Sequence, residues 1–177
     1  MINSGITIIS FSTFDPLTIQ KLAESVAAEF NAKVKIIEGR LDLSDYFDPT
    51  RSQYNANELL SAVEQLFSGK DDKTIGLFGV DLFIPILTYI FGQAYLNGQT
   101  AIASTHRLSN SRYGLKDDPE KRLQRITKEA IHELGHSYGL IHCHTPNCVM
   151  ASSTYVEDID QKSHHLCQSC HKGIWAS

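Results

Sequence analysis

A single compact α/β domain is the architecture this sequence predicts, and three features of the chain predict it. The N-terminal stretch alternates a β-branched run, an amphipathic run and a second β-branched run, which reads as strand, helix, strand. Two later β-rich runs meet at an Asn-Gly pair, the strongest short-range hairpin signal. A long amphipathic stretch then leads into His132-Glu133-x-x-His136-x-x-Gly139-x-x-His142. At 177 residues and 42 % hydrophobic content the chain can bury one substantial core, and no part of it reads as a second domain.

Residues 5–11 (GITIISF) suit a buried strand. Thr13 or Asp15 ahead of Pro16 opens a helix through about residue 30, with Leu17, Leu22, Val26 and Phe30 at helical spacing. Residues 33–37 (KVKII) form a second strand, parallel to the first through a right-handed crossover. Residues 40–55 are polar and aromatic around Pro49 and read as a loop or irregular hairpin carrying Tyr46, Phe47 and Tyr54. Asn55 or Asn57 caps the next helix, whose apolar face is Leu59, Leu60, Val63, Leu66 and Phe67, with Gly69 ending it. A third strand spans residues 73–80, where Gly76 and Gly79 admit a neighbouring backbone. With Gly92 these glycines make no phosphate-binding fingerprint, because the spacing is wrong and no capped helix follows. Residues 88–95 and 100–107 are the last two strands, joined around Asn97-Gly98. Asp117 or Asp118 before Pro119 opens the long helix, whose buried face is Leu123, Ile126, Ala130, Ile131 and Leu134.

That helix carries the chemistry. His132 and His136 lie one turn apart and project from the same face. Neutral imidazoles so placed suit a catalytic zinc, which takes three protein ligands and leaves a fourth position open. The third ligand is His142, six residues beyond His136. A continuing helix would carry it to another face, so the helix has to end between them, and Gly139 can adopt the left-handed turn that ends it. Glu133 reaches a water held by the metal and, as general base, takes its proton. A bare H-E-x-x-H arises by accident on histidine-rich surface helices, whereas the full pattern is far rarer.

All four cysteines, Cys143, Cys148, Cys167 and Cys170, fall in the last 35 residues. Their spacing, two close pairs 18 residues apart, is that of a closed tetrahedral zinc site, which brings the expected content to two zinc ions per chain. Two disulfides and a redox-active Cys-Gln-Ser-Cys pair are the competing readings, and neither accounts for Cys143 abutting the third histidine. His144, His164, His165 and His171 could stand in as ligands, but each reads individually as a surface residue.

Sixteen basic residues against twenty acidic ones leave a formal charge of −4. The densest basic cluster, Lys121, Arg122, Arg125 and Lys128, alternates with Glu120 and Glu129 and reads as a solvated helix face, so nucleic acid is not an expected partner. The N-terminus has no basic n-region or cleavage pattern. Residues 82–91 (LFIPILTYIF) are too short for a bilayer and contain Pro85, so no membrane partner is expected. A soluble, cytoplasmic monomer follows, and in a reducing cytosol cysteines favour metal over disulfides.

Together these residues resemble one family, the archaemetzincins, which are metzincin-like zinc metallopeptidases. The match runs from His132 to His142-Cys143, then four residues to Cys148, one to Met150 and sixteen to Cys167-x-x-Cys170. Weaker similarity extends through Arg51-x-Gln53-Tyr54, Asp81-Leu82, Phe91-Gly92-x-Ala94 and Ser104-x-x-Arg107-Leu108, and so over most of the chain. The resemblance implies one zincin-type, metzincin-like domain over residues 1–177, built on a mixed, twisted sheet of about five strands flanked by helices. The upper subdomain runs to about residue 139 and includes the long active-site helix. The loop-rich, zinc-bound lower subdomain occupies about residues 140–177. It implies a catalytic zinc on His132, His136 and His142, Glu133 as general base, Met150 in a turn beneath the metal, and a structural zinc on Cys143, Cys148, Cys167 and Cys170. In such folds the sheet's edge strand borders the cleft and pairs with an extended peptide, which points to Phe91, Gly92, Gln93 and Ala94.

The reaction so expected is hydrolysis of a peptide bond in a peptide or protein substrate. A second reading, from a different class, is a zinc-stabilised peptide-binding module with little or no catalysis. A purely structural metal site has no need of Glu133 or of an open coordination position.

Overall fold

In the computed structural model, which describes residues 5–69 and 72–175, eight strands and five α-helices follow one another along the chain. They are β1 (Ile6–Ser10), α1 (Pro16–Phe30), β2 (Val34–Glu38), β3 (Phe47–Asp48), β4 (Gln53–Asn55), α2 (Ala56–Phe67), β5 (Lys73–Phe78), β6 (Leu82–Phe83), β7 (Gly92–Ala94), β8 (Thr100–Ser104), α3 (Pro119–Ser137), α4 (Val156–Gln161) and α5 (Gln168–Trp175). The outermost residues of the expected domain, 1–4 and 176–177, lie outside the described residues.

The mixed five-stranded sheet that the sequence predicts is present, in the order β2-β1-β5-β8-β7. Its first four strands are parallel, and β7 joins β8 antiparallel as an edge. The β7–β8 turn is the predicted Asn-Gly turn, with Asn97 at φ 53° and the Gly98 N–H donating to Tyr95 O at 2.9 Å. Both faces of the sheet are covered, so its three central strands, β1, β5 and β8, are buried along nearly their whole length. Ile6, Ile8, Ile75, Leu77, Ala101 and Ala103 belong to the core shared with α1 and α3, while Ile9, Phe78 and Ile102 pack with α2 on the other face. That split is the period of two expected of a strand.

The helix starts follow from their caps. Asp15 accepts from Thr18 N–H at 2.9 Å, Asn55 from Asn57 N–H at 3.1 Å and Asp118 from Lys121 N–H at 3.0 Å, and Pro16 and Pro119 occupy first-turn positions. The irregular hairpin is there as well, with β3 antiparallel to β4.

Several expectations change. The sequence did not announce β6, which pairs in parallel with β4 and makes a second, three-stranded sheet. The predicted strand over residues 88–95 is regular only at Gly92–Ala94. Upstream of it Pro85 opens a tight turn, closed by Leu87 N–H donating to Ile84 O at 3.0 Å, so the apolar run folds back on itself. Gly69 does not end α2. The chain leaves the helix at Ser68, which is extended (φ −75°, ψ 129°). Gly76 and Gly79 make room for side chains, not backbone: a Cβ at Gly76 would stand 3.0 Å from the Phe11 ring, and one at Gly79 2.7 Å from Ser12 Oγ.

The basic cluster on α3 is a solvated face only in part: Glu120 and Arg122 are exposed, but the others are not. Arg125 is 3 % exposed and grips Asp160 of α4 through two bonds of 2.7 Å, while its other nitrogen donates to Leu108 O at 2.7 Å. Lys128 donates to Ile159 O at 2.9 Å, and Glu129 is buried. The helix turns half its charges toward α4, because a guanidinium whose donors all find acceptors can be buried.

Arg125→Ala takes the donor from the Leu108 carbonyl and leaves the Asp160 carboxylate with Lys121 alone, at 3.2 Å. It should lower the unfolding free energy by about 3 kcal/mol, read as a lower urea midpoint at unchanged slope.

Candidate active site

The chain leaves α3 through a Schellman turn. The Gly139 N–H donates to His136 O at 2.9 Å, the Leu140 N–H donates to Gly135 O at 3.0 Å, and Gly139 has the left-handed φ of 91° that the sequence reading requires of it. This turn brings His142 back toward His132 and His136, and one nitrogen from each ring lies within 4.8 Å of the others. The His132 Nδ1–H donates to Val149 O at 2.8 Å, and the His136 Nδ1–H donates to Leu140 O at 2.7 Å. A carbonyl can only accept, so those partners assign the protons to Nδ1 and leave each Nε2 as a bare lone pair. The two Nε2 atoms face each other at 3.1 Å. Lone pairs at that distance repel unless a cation sits between them. Burial holds all three imidazoles below their usual pKa, His132 well below it, and keeps them neutral. The donor set therefore fits a zinc ion with an open position.

Met150 is fully buried against α3, and a Cβ at Gly135 would collide with its sulfur. Glu133 is buried under β7, where a Cβ on Gly92 would stand 2.7 Å from Glu133 Cγ and 2.7 Å from Ile102 O. Burial pushes its carboxyl well above the usual range, and Glu129, one turn earlier, adds to this. Sequence reasoning missed what lies behind Glu129. Lys162, with a side chain 3 % exposed, places its Nζ 3.2 Å from Glu129 Oε1 and donates to Ala151 O at 3.1 Å. It also lies 3.4 Å from His132 Nδ1, but both atoms are donors, so this is a contact and not a hydrogen bond. Glu129, four residues before Glu133 on the same helix face, was a legible signal. Nothing marked Lys162.

These groups form the floor of a cleft of about 740 Å³. Its upper rim, residues 84–91, is held by the residues of the weaker upstream similarity. Arg51 donates to Leu87 O at 3.1 Å and Pro85 O at 3.3 Å. Gln53 donates to Thr88 O at 3.0 Å and Asp81 Oδ2 at 3.1 Å. Arg107 grips Asp81 at 2.6 and 2.7 Å and lies over the Tyr89 ring at 3.9 Å. The Tyr89 hydroxyl crosses the cleft to donate to Thr154 O at 2.8 Å. Phe91, Gly92, Gln93 and Ala94 all line the cleft, but the Gln93 amide is turned toward Asn57 Oδ1, at 2.6 Å.

The four cysteines are brought together too, with all sulfurs within 4.8 Å of one another and no disulfide among them. Cys143 Sγ lies 3.8 Å from Cys167 Sγ, and Cys148 Sγ lies 3.8 Å from Cys170 Sγ. A tetrahedron with Zn–S bonds of about 2.3 Å has edges of about 3.8 Å, so the spacing fits a closed thiolate site. The Cys170 N–H lowers the Cys167 thiol to about 6, while burial pushes the Cys170 thiol up. Of the remaining histidines, His144 and His165 are exposed, and His165 bonds Glu29 at 2.8 Å.

Comparison with known proteins places the chain among zinc-dependent peptidases. The model of peptidase family M54 matches residues 18–175. An archaemetzincin of Methanopyrus kandleri is 38 % identical over 148 residues, 83 % of this chain and 81 % of that protein. Its crystal structure superimposes with a TM-score of 0.85 at 32 % identity, covering 98 % of this chain and 94 % of that one. A zinc-dependent peptidase from Methanocorpusculum labreanum superimposes with a TM-score of 0.85 at 29 % identity, covering 96 % and 100 %.

Gly92→Ala drives a methyl group into Glu133 and the Ile102 carbonyl at once. It should destabilise the fold by about 1–3 kcal/mol in urea titration, whereas Gly69→Ala, with nothing within 4 Å, should not.

Proposed function

The chain belongs to peptidase family M54, the family of the archaemetzincins, and is a zinc metallopeptidase; from that premise we propose that His132, His136 and His142 hold the catalytic zinc and that Glu133 is the general base. The single observation that carries this assignment is the pair of bare Nε2 lone pairs at 3.1 Å beside a buried glutamate.

A zinc ion held there supplies Lewis acidity toward a carbonyl oxygen and lowers the pKa of water toward neutrality. The protein does the rest. Val149 O and Leu140 O hold two rings in the tautomer that presents Nε2. Glu133 takes a proton from the attacking water on a carboxylate oxygen and delivers it to the leaving amine. The edge strand β7 positions the substrate. Phe91 O and the Tyr95 N–H pair with β8, so by the alternation of an antiparallel ladder the backbone groups of Gly92 and Ala94 point the other way, toward the cleft. An extended peptide adds there as a further strand. A bare binding module, the competing reading, is not favoured by membership of a peptidase family.

Cys143, Cys148, Cys167 and Cys170 hold a second, structural zinc in this reading, within a lower subdomain beginning near residue 140 of one continuous peptidase domain. Unpaired thiols in a ligand cluster are the chemistry of a reducing compartment, which favours the cytoplasm. Among the described residues no helix is long and apolar enough to cross a membrane.

Glu133→Ala should retain its metal and lose about 10²- to 10⁴-fold in peptide turnover. Turnover at the wild-type rate would remove Glu133 from the mechanism. Metal analysis of the purified protein should return two zinc equivalents, one for each ligand group, and His136→Ala should return one.

A further inference from the structure

Residues 142–150 serve both ligand groups at once. His142 and Cys143 are neighbours in sequence yet belong to different groups. Cys148 is followed by Val149, whose carbonyl accepts from the His132 Nδ1–H, and by Met150, which lies against Gly135. The stretch has no helix or strand of its own. Its backbone bonds run to itself and to residues 163–165: the Cys143 N–H donates to Met150 O at 3.0 Å, the Cys148 N–H to Thr145 O at 3.2 Å, the Ala151 N–H to Cys148 O at 3.0 Å and the Val149 N–H to His165 O at 2.9 Å, while Asn147 O accepts from the Ser163 N–H at 3.0 Å and the Ser163 hydroxyl at 2.8 Å. Sulfur brackets both ends, with Cys143 facing Cys167 and Cys148 facing Cys170 of α5. Without a cation, thiols at that distance offer each other weak S–H contacts and, once ionised, repulsion. His132 and His136, by contrast, are one turn apart on α3 whatever the loop does.

We infer that the four-cysteine group is a positioning element for the three-histidine group, a reading that rests on both being zinc sites. The metal it takes fixes residues 142–150. Only then does the histidine group gain its third ligand and the carbonyl that orients its first. The cysteine group therefore fills first, because its four ligands are anionic when bound and close around the ion. Partners that orient metal ligands typically change affinity by about 10- to 100-fold, which sets the size of the coupling.

Cobalt(II) titration of the reduced, metal-free full-length protein separates the two sites, since thiolate-to-cobalt charge transfer absorbs in the near ultraviolet and histidine-bound cobalt only weakly in the visible. The thiolate band should complete before the histidine phase begins. His136→Ala should remove the second phase and leave the first unchanged. Cys167→Ser/Cys170→Ser, with its helix and sheet content checked by circular dichroism, should weaken the histidine phase by about 10- to 100-fold. A histidine phase that comes first, or that keeps wild-type affinity in the cysteine variant, overturns the inference and leaves both metal sites standing. Absence of any thiolate band from fully reduced protein overturns the two-zinc reading itself. Should the cysteine variant fail to fold, hydrogen exchange in the wild type decides. The first equivalent must slow the Cys143 and Val149 amides, and unchanged exchange there overturns the inference.

Discussion

Two hydrogen bonds from imidazole to main chain, His132 to Val149 O and His136 to Leu140 O, are what the rest of the site depends on. A histidine ring has one proton to place when neutral, and committing it to a carbonyl leaves the opposite nitrogen bare. Each carbonyl has to be delivered to the right spot by a turn. Leu140 O is delivered by the left-handed turn at Gly139, and Val149 O by the loop that carries Met150 under α3. That approach is open only because Gly135 has no side chain. Gly139 of the motif and Gly135, at one of its unspecified positions, thus answer one requirement, that the main chain return to the helix it has just left.

The end of α3 is also held from the sheet side. Lys73, at the start of β5, donates to Gly98 O at 2.6 Å and to Ser137 O at 2.9 Å. The Asn97 N–H donates to His136 O at 2.9 Å. A cation at a helix C-terminus meets the negative end of the macrodipole as well as an orphan carbonyl. The β7–β8 turn and the last turn of α3 are therefore one unit, so the edge strand above the floor and the histidines on it keep a fixed separation. On the cleft's other side, Asp81 is shared by Arg107 and Gln53, and an acidic group with charged and neutral donors in one pocket stays ionised despite its burial, with Arg107 and Gln53 lowering its pKa.

What was legible in the sequence was what depends on neighbours along the chain. The caps at Asp15, Asn55 and Asp118, the Asn97-Gly98 turn and the end of α3 at Gly139 are local chemistry, and each is found in place. The ligand spacing belongs to the same class, since one helical turn or one short loop connects the groups. What was not legible depends on partners far away in sequence. Lys162 meets Glu129 across 33 positions, Arg125 meets Asp160 across 35, and neither charge carries a mark of burial in its own surroundings. The pairing of β6 with β4 is invisible for the same reason: a two-residue strand has no periodicity to detect. Residues 88–95 misled because β-branched and aromatic residues report burial as readily as strand. Here Tyr89 is placed by Arg107 and Thr154, not by a ladder.

The open edge at β7 has a consequence for the protein in concentrated solution. An unpaired strand edge is a template that any copy of the same chain could join, and long flat edges are where sheets coalesce into aggregates. This edge is three residues long and borders a cleft whose rim is pinned by Arg51 and Gln53. So short an edge offers little ladder for the side of another sheet to join. The opposite edge, β2, is protected differently, by Lys35 and Glu38 on a strand half exposed to water. Brevity at one edge and charge at the other are two different ways of discouraging the pairing of one sheet with another.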